Sequence, residues 1–380
     1  MELQAALYTN STASPSLENI YRDVSDTNIT WAIHGGVISF GFSIAMPEYQ
    51  AWRFFKDYPG YRVCLLDDYV DKPVADGHIT DISLTQSGVR VDCRGFWDRH
   101  FDQYYVQTVT DTDSTSDVIK DALTNNVPFV SSTQSNIDET STVIGFWEPP
   151  DEGIFPGDLI QKMAALSDSS NNQWNYYLVN QQLQGAIPQL PLPYFKAQVD
   201  DGTFDWQVWK KDLAKGSFSM TRSISKLAND VQVIYTDEDG YLSITSAATD
   251  STSQSDFWTR EAHIDVGDVP DVAATQYRDL FLNKFKQPML RYEIQISAPK
   301  ITNSNGARVP LWNVIKESGG YLRVNDLFPD STLLSSSWDR KRIGQIMEAE
   351  YSGADNTLRV VLDQESNRAD AILARIEAFR

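Results

Sequence analysis

The sequence predicts a mainly β protein, with two antiparallel β-barrels joined by an α+β insertion, and three observations carry that reading. Apolar residues alternate with a period of two near both ends of the chain. Glycine-rich or acidic turns separate those runs, and between Thr108 and Arg222 the apolar spacing lengthens to that of a helix. The clearest alternation lies in Tyr61–Phe101. Within Val89–Gly95, Val89, Val91 and Cys93 point one way and Arg90, Asp92 and Arg94 the other. Thr85–Gly88 is a turn, preceded by a strand carrying Ile79, Ile82 and Leu84, whose slip at Asp81 reads as a bulge. Tyr61, Val63 and Leu65 supply a third strand, closed by the acidic loop Asp67–Asp68, and the chain re-enters the sheet at Gly77.

The other elements follow in chain order. Leu3–Tyr8 is apolar enough for a first strand, and Thr9–Ser16 is polar and turn-rich. Ile29, Trp31 and Ile33 run into His34-Gly35-Gly36, and Ile38, Phe40, Phe42 and Ile44 run away from it, which makes a hairpin. Pro47–Phe55 reads as a short helix with Pro47 at its first position and Trp52 and Phe55 inward. These elements make a six-strand unit ending near Tyr105. Ser114 with Asp117 is a capping signal for a helix bearing Val118, Ile119 and Leu123, and Pro156 opens a second helix with Leu159, Ile160, Met163 and Leu166. Val231–Tyr235 and Tyr241–Ile244, joined by the turn Asp237-Glu238-Asp239-Gly240, open the second barrel. A helix over Val272–Phe285 (Ala273, Tyr277, Leu280, Phe281, Phe285) and strands at Tyr292–Ser297, Tyr321–Val324, Ile343–Tyr351 and Thr357–Leu362 continue it. The expected organisation is 1–107 first barrel, 108–222 mixed insertion, 223–363 second barrel and 364–380 C-terminal tail, with a short amphipathic helix or loose chain over Ala369–Phe379.

Against 32 Lys and Arg stand 52 Asp and Glu, a formal charge of −20. Extensive gripping of a phosphate backbone depends on basic side chains displacing counterions, so this balance argues against it. It suits a surface past which nucleic acid slides, and it equally suits plain solubility. No apolar run approaches the 18 residues of a membrane span, and MELQAALYTN lacks the basic start and long apolar core of a signal peptide. Cys64 and Cys93 fall in strands of the same meander, out of metal-ligand spacing, and read as buried thiols.

Catalytic chemistry finds little support. His34, His78, His100 and His263 have no partner at metal-ligand spacing, and the phosphate-loop, nucleophile-elbow and dinucleotide patterns are missing. Asp111, Asp113, Thr115 and Asp117 imitate a calcium loop, but Ser116 replaces its glycine and Ala122 its terminal glutamate, so capping is the better account. Glu148, Asp151, Glu152, Glu348 and Glu350 are the candidates for a glycosidase carboxylate pair, and nothing singles out two of them. The expectation is a protein that is not an enzyme and uses no cofactor or metal.

Several stretches together resemble the baseplate or tail-tip hub proteins of tailed bacteriophages. They are Asn28–Met46 (NITWAIHGGVISFGFSIAM), Gly77–Asp98, Phe155–Leu166 (FPGDLIQKMAAL), Pro191–Phe195 (PLPYF), Asp205–Val208 (DWQV), Ala228–Gly240 (ANDVQVIYTDEDG), Val309–Trp312 (VPLW), Tyr321–Pro329 (YLRVNDLFP) and Ile346–Asp363. The resemblance implies a homotrimer in which each subunit gives two tail-tube-like barrels to a six-barrel ring. Such a ring joins a sixfold tail tube to a threefold tip at the distal end of the virion tail, after synthesis in the host cytoplasm. Implied partners are a tail-tube or distal tail protein, a tip or fibre protein, a tape-measure protein, and DNA that passes without specific binding. Neither a lysozyme-like domain nor a fibre region is evident. Candidate channel-facing acids are Asp67, Asp68, Asp200, Asp201, Asp237, Glu238 and Asp239. The competing reading is a carbohydrate- or receptor-binding β-sandwich module with an aromatic surface.

Overall fold

Seven strands build the first part of the chain in a computed structural model that describes residues 3–10, 15–68, 71–110, 112–140, 153–165, 174–185, 187–197, 203–237, 240–268, 271–326 and 343–363. They are β1 (Gln4–Tyr8), β2 (Leu17–Tyr21), β3 (Val24–Ala32), β4 (Gly36–Ala45), β5 (Arg62–Leu66), β6 (Ala75–Thr85) and β7 (Gly88–Gly95), hydrogen-bonded in the order β3-β4-β7-β6-β5-β1-β2. The expected meander is β5 to β7, and the slip is a true irregularity of register between Ile79 and Asp81. Val89, Val91 and Cys93 are buried, as are Phe40 and Phe42.

Ile38 departs from expectation. The β3–β4 register shifts so that Trp31 faces Val37, which turns Val37 into the main core; Ile38, half-buried, packs against the core of the insertion instead. The turn before β4 needs glycine, because Gly36 has φ +81° and a Cβ there would strike the Leu178 carbonyl. Strand β2 escaped the sequence reading because its residues are almost all exposed and carry no alternation.

Helix α1 (Glu48–Asp57) corrects a second expectation. Pro47 is its N-cap, and the helix buries Ala51 and Phe54 rather than Trp52 and Phe55. The small Ala51 side chain permits close approach to β6 and β7, and Phe54 meets Tyr21 and Tyr58 edge to face at 5.6 and 5.0 Å. A reading that put the larger rings inward chose the wrong stripe.

The insertion has its own core. It contains the 3-10 turn Phe96–Phe101, α2 (Thr115–Asn126), α3 (Pro156–Ala165), and the two-stranded sheet β8 (Trp174–Val179) and β9 (Leu192–Ala197). Ser114 and Asp117 make both bonds of a capping box, and Val118, Ile119 and Leu123 pack with Leu159, Ile160 and Met163. Leu166 lies outside the described residues. The last part of the 108–222 segment packs elsewhere: β10 (Trp206–Trp209) and β11 (Ser219–Ser223) join the large sheet.

The hairpin expected to open a second barrel exists, but in a sheet of its own. Strands β12 (Asp230–Thr236), β13 (Leu242–Ile244), β14 (Ala248–Thr249) and, after α4 (Ser251–Phe257), β15 (Glu261–Asp268) form a four-stranded sheet in which β12 and β15 run parallel. Helix α5 (Asp271–Phe285) packs Ala274, Phe281 and Phe285 against Val231, Val233, Ile264 and Val266. The side chain of Ala273 lies outside the described residues.

The chain then returns to the large sheet with β16 (Met289–Ile296), β17 (Lys300–Asn303), β18 (Arg308–Pro310), the single turn α6 (Asn313–Lys316), β19 (Tyr321–Asn325), β20 (Ile343–Ser352) and β21 (Thr357–Asp363). Strand β20 is the junction. Its first residues pair with β19, its last with β3, and its other edge with β21, which pairs in turn with β16. One sheet of fifteen strands thus spans the first and last parts of the chain around a shared core. The β10–β19 pair is parallel, and among the described residues the strand order closes no barrel. The chain is mainly β, as expected. The segment Ala369–Phe379 lies outside the described residues.

Candidate functional site

Two buried charged clusters lock the parts of this fold together. Strand β5 is buried along its whole length, so Arg62 must find its partners inside the protein. Its Nε and Nη2 donate to Asp76 at 3.0 and 2.5 Å, while Nη1 and Nη2 donate to the carbonyls of Pro188 and Gln189 at 3.3 and 2.7 Å. One guanidinium therefore ties the first sheet to the loop before β9. Cys64 donates its thiol to Asp76, and burial, aided by that carboxylate, pushes the thiol far above its ordinary range. Such a group stays protonated and unreactive.

The second cluster crosses from the first part of the chain to the last. Lys316, in α6, donates to Asp67 at 2.9 Å and Asp71 at 2.8 Å. Burial alone would lower its pKa, but the two carboxylates outweigh burial and raise it; the Lys316 hydrogen bond in turn lowers that of Asp71. The Asp71 contribution is present above the usual carboxylate pKa and lost as pH falls through its depressed value. The Lys316 contribution is lost only as pH rises through its raised value. Between those limits the contact holds.

The candidate acids separate once they are placed. Asp67 is buried and ion-paired, so it presents no charge to a channel; a position read as an exposed loop is a structural anchor. Asp68 is exposed. The Asp237 carboxylate accepts from the Tyr241 amide at 2.9 Å and the Ser243 hydroxyl at 3.0 Å, which organises its own turn. Asp200, Asp201, Glu238 and Asp239 lie outside the described residues, as do Glu148, Asp151, Glu152 and Asp111. Glu348 and Glu350 are exposed on β20, and Arg359 bridges Glu350 to Glu293 in a cross-strand ladder. Asp113 accepts from the Thr110 amide and hydroxyl, so it shapes a turn. Among the described residues no cluster of three metal-ligating side chains occurs.

Sequence reasoning passed over Arg62 and Lys316; Arg62 left a signal as a lone cation inside the apolar run YRVCLL, whereas Lys316, at the polar end of WNVIKES, left none. His100 is a further buried anchor. Its Nδ1 lies 3.3 and 3.2 Å from the carbonyls of Phe96 and Trp97, which can only accept, so Nε2 accepts the Tyr176 hydroxyl at 2.8 Å. Burial lowers its pKa to about 4. The unfolded chain binds a proton there below about 6.5 and the folded chain does not, so stability falls as pH drops through that window. The insertion is expected to lose of the order of 3 kcal/mol between pH 6.5 and 4. Hydrogen exchange of β8 amides measured across that range checks it, and His100→Gln should flatten the dependence.

Neither a protein-family model nor a curated protein matches the sequence significantly. The fold, however, has solved counterparts along its whole length. The 43 kDa tail protein of prophage MuSo2 from Shewanella oneidensis is 12% identical, with TM-score 0.58 over 95% of this chain and 97% of that one. A tail protein from Neisseria meningitidis gives 10% identity and TM-score 0.58 over 95% and 96%. A prophage tail protein from Listeria monocytogenes gives 11% identity and TM-score 0.54 over 100% and 99%. The chain therefore has the fold of phage tail proteins, in agreement with the resemblance read from its motifs.

Proposed function

We propose that this chain is a structural subunit of a phage tail tip or baseplate, a hub that assembles as a homotrimer and joins a sixfold tube to a threefold tip around a DNA channel. The observation that carries the reading is the end-to-end fold likeness to tail proteins, with no large part of either chain left over. The one sheet that runs through β3 and β20 supports a rigid two-part ring segment, and we assign to its two arms the role of the paired tail-tube-like barrels. The inserted helices and the four-stranded sheet are then separate modules carried on that frame. Partners in this reading are the tube or distal tail protein above, a tip or fibre protein below and a tape-measure protein. No catalytic or cofactor role is proposed.

The charge of −20 supports an acidic channel wall. Duplex DNA carries about one negative charge per 1.7 Å of its axis, and repulsion acts over roughly 8 Å at physiological salt, so lumen-facing acids keep DNA from sticking. Asp68 is an exposed candidate for that wall, and Asp200, Asp201, Glu238 and Asp239 are proposed to line it with Asp68. Purified protein is expected not to retard duplex DNA in a gel at physiological salt. Light scattering tests the assembly: a trimer that polysaccharide resins do not retain supports the hub, whereas a monomer retained by polysaccharide favours a receptor-binding module.

A further inference from the structure

The first sheet carries a second, smaller apolar face, and a strap from the insertion covers it. Ala6 and Tyr8 of β1 and Cys64 and Leu66 of β5 form a cluster apart from the main core, each no more than 2% exposed. Antiparallel register sets Ala6 directly opposite Cys64, so the four side chains share one face of the two strands. Leu183, half-buried in the chain between β8 and β9, packs on this cluster. A side chain of one part of the protein thus closes a face of another.

Two hydrogen bonds seat the strap, residues 180–184, and both end on one short segment between β5 and β6. The Leu183 amide donates to the Asp71 carbonyl at 2.8 Å, and the Asn180 side-chain amide donates to the Pro73 carbonyl at 3.3 Å. The same segment is held from the last part of the chain, because Lys316 donates to the Asp71 carboxylate at 2.8 Å and Lys72 pairs with Glu317 at 3.1 Å. Asp71 therefore gives its carbonyl to the insertion and its carboxylate to α6. Further along, Arg62 holds the carbonyls of Pro188 and Gln189, which confines an opening to the strap itself.

We propose that residues 180–184 are a latched strap: Lys316 of α6 holds Asp71, Asp71 holds Leu183, and release of the lysine lets the strap lift from Ala6, Tyr8, Cys64 and Leu66. Closed and open forms of so short a segment differ by a few hydrogen bonds and one apolar contact, so the open form is reached locally, without unfolding the sheet. The last part of the chain thereby controls access to an apolar face in the first. Control is reciprocal, because whatever lifts the strap weakens the seating of α6 by the same factor. The device works within one chain and does not depend on the ring.

Cys64 lies beneath the strap and Cys93 in the main core, so the two thiols give a probe and a reference in one molecule. The full chain is treated with iodoacetamide under native conditions, and labelling of each cysteine is followed by peptide mass spectrometry. Asp71→Ala keeps the carbonyl and removes a carboxylate whose side chain is 53% exposed, so the variant should fold. Lys316→Met/Asp67→Leu breaks the same contact without leaving a buried charge alone. Loss of a hydrogen bond between charged groups should speed Cys64 labelling about tenfold in both variants, with Cys93 unchanged. Leu183→Ala, which trims the cover and leaves the Lys316 contacts in place, should also speed Cys64 alone. Cys64 labelling as slow as in the parent in Asp71→Ala and the double variant overturns the latch, and slow labelling in Leu183→Ala overturns the cover. An equal rise at both cysteines reports general loosening and overturns the proposal as well.

Discussion

Val91→Asp is expected to give no soluble protein. Val91 is fully buried in β7, with Phe42 of β4 and Ile82 of β6 as its cross-strand neighbours. A carboxylate there has no water and no cation within the main core, so it must stay charged without a partner or take up a proton at a cost. The loss of valine packing adds to that. Together these effects amount to about 5 kcal/mol, at the upper end for single substitutions and comparable to the whole stability of many domains. Comparing soluble yield with that of Val91→Ala checks it. The alanine variant should fold with a reduced melting temperature, and an unchanged yield for the aspartate variant would show that this face is exposed.

Lys316→Met should separate the two ends of the chain. Removing the cation leaves Asp67, 2% exposed, with the main compensation for its burial gone, and breaking a buried pair in this way costs about 3–5 kcal/mol. The neighbouring Lys72–Glu317 pair, whose glutamate side chain is half exposed, is expected to contribute less than about 1 kcal/mol. A urea titration of Lys316→Met, Lys72→Met and the double variant Lys316→Met/Asp67→Leu distinguishes these effects. The double variant should recover most of the loss, because the orphaned charge is then gone. Equal losses for the two lysine variants would contradict a buried anchor.

The strands legible in the sequence were mostly those with one buried face. Val89, Val91 and Cys93, the hairpin about Gly35 and Gly36, and the final hairpin β20–β21 announce themselves by alternation. Strand β5 was legible from Tyr61, Val63 and Leu65 although it is buried on both faces, so what the sequence hid there was the burial of Arg62; β2, exposed almost throughout, lacks any contrast. The α1 error has a related cause: size is a poor guide when a small residue such as Ala51 sets the packing distance, and the open rings of Trp52 and Phe55 are available for a partner. Long-range pairing was the least legible layer. Nothing local says that β10 pairs in parallel with β19, or that Asp67 finds a lysine 249 residues away. Of the candidate acids, charge was legible and burial was not, because burial depends on α6.

The central claim is that this chain forms the threefold hub of a phage tail, and electron cryo-microscopy of intact tails containing it tests that most directly. The predicted result is a ring of three copies at the distal end of the tube, its lumen lined mainly by Asp and Glu. A monomer or a dimer in that position, or a threefold ring lined mainly by Lys and Arg, would contradict the account.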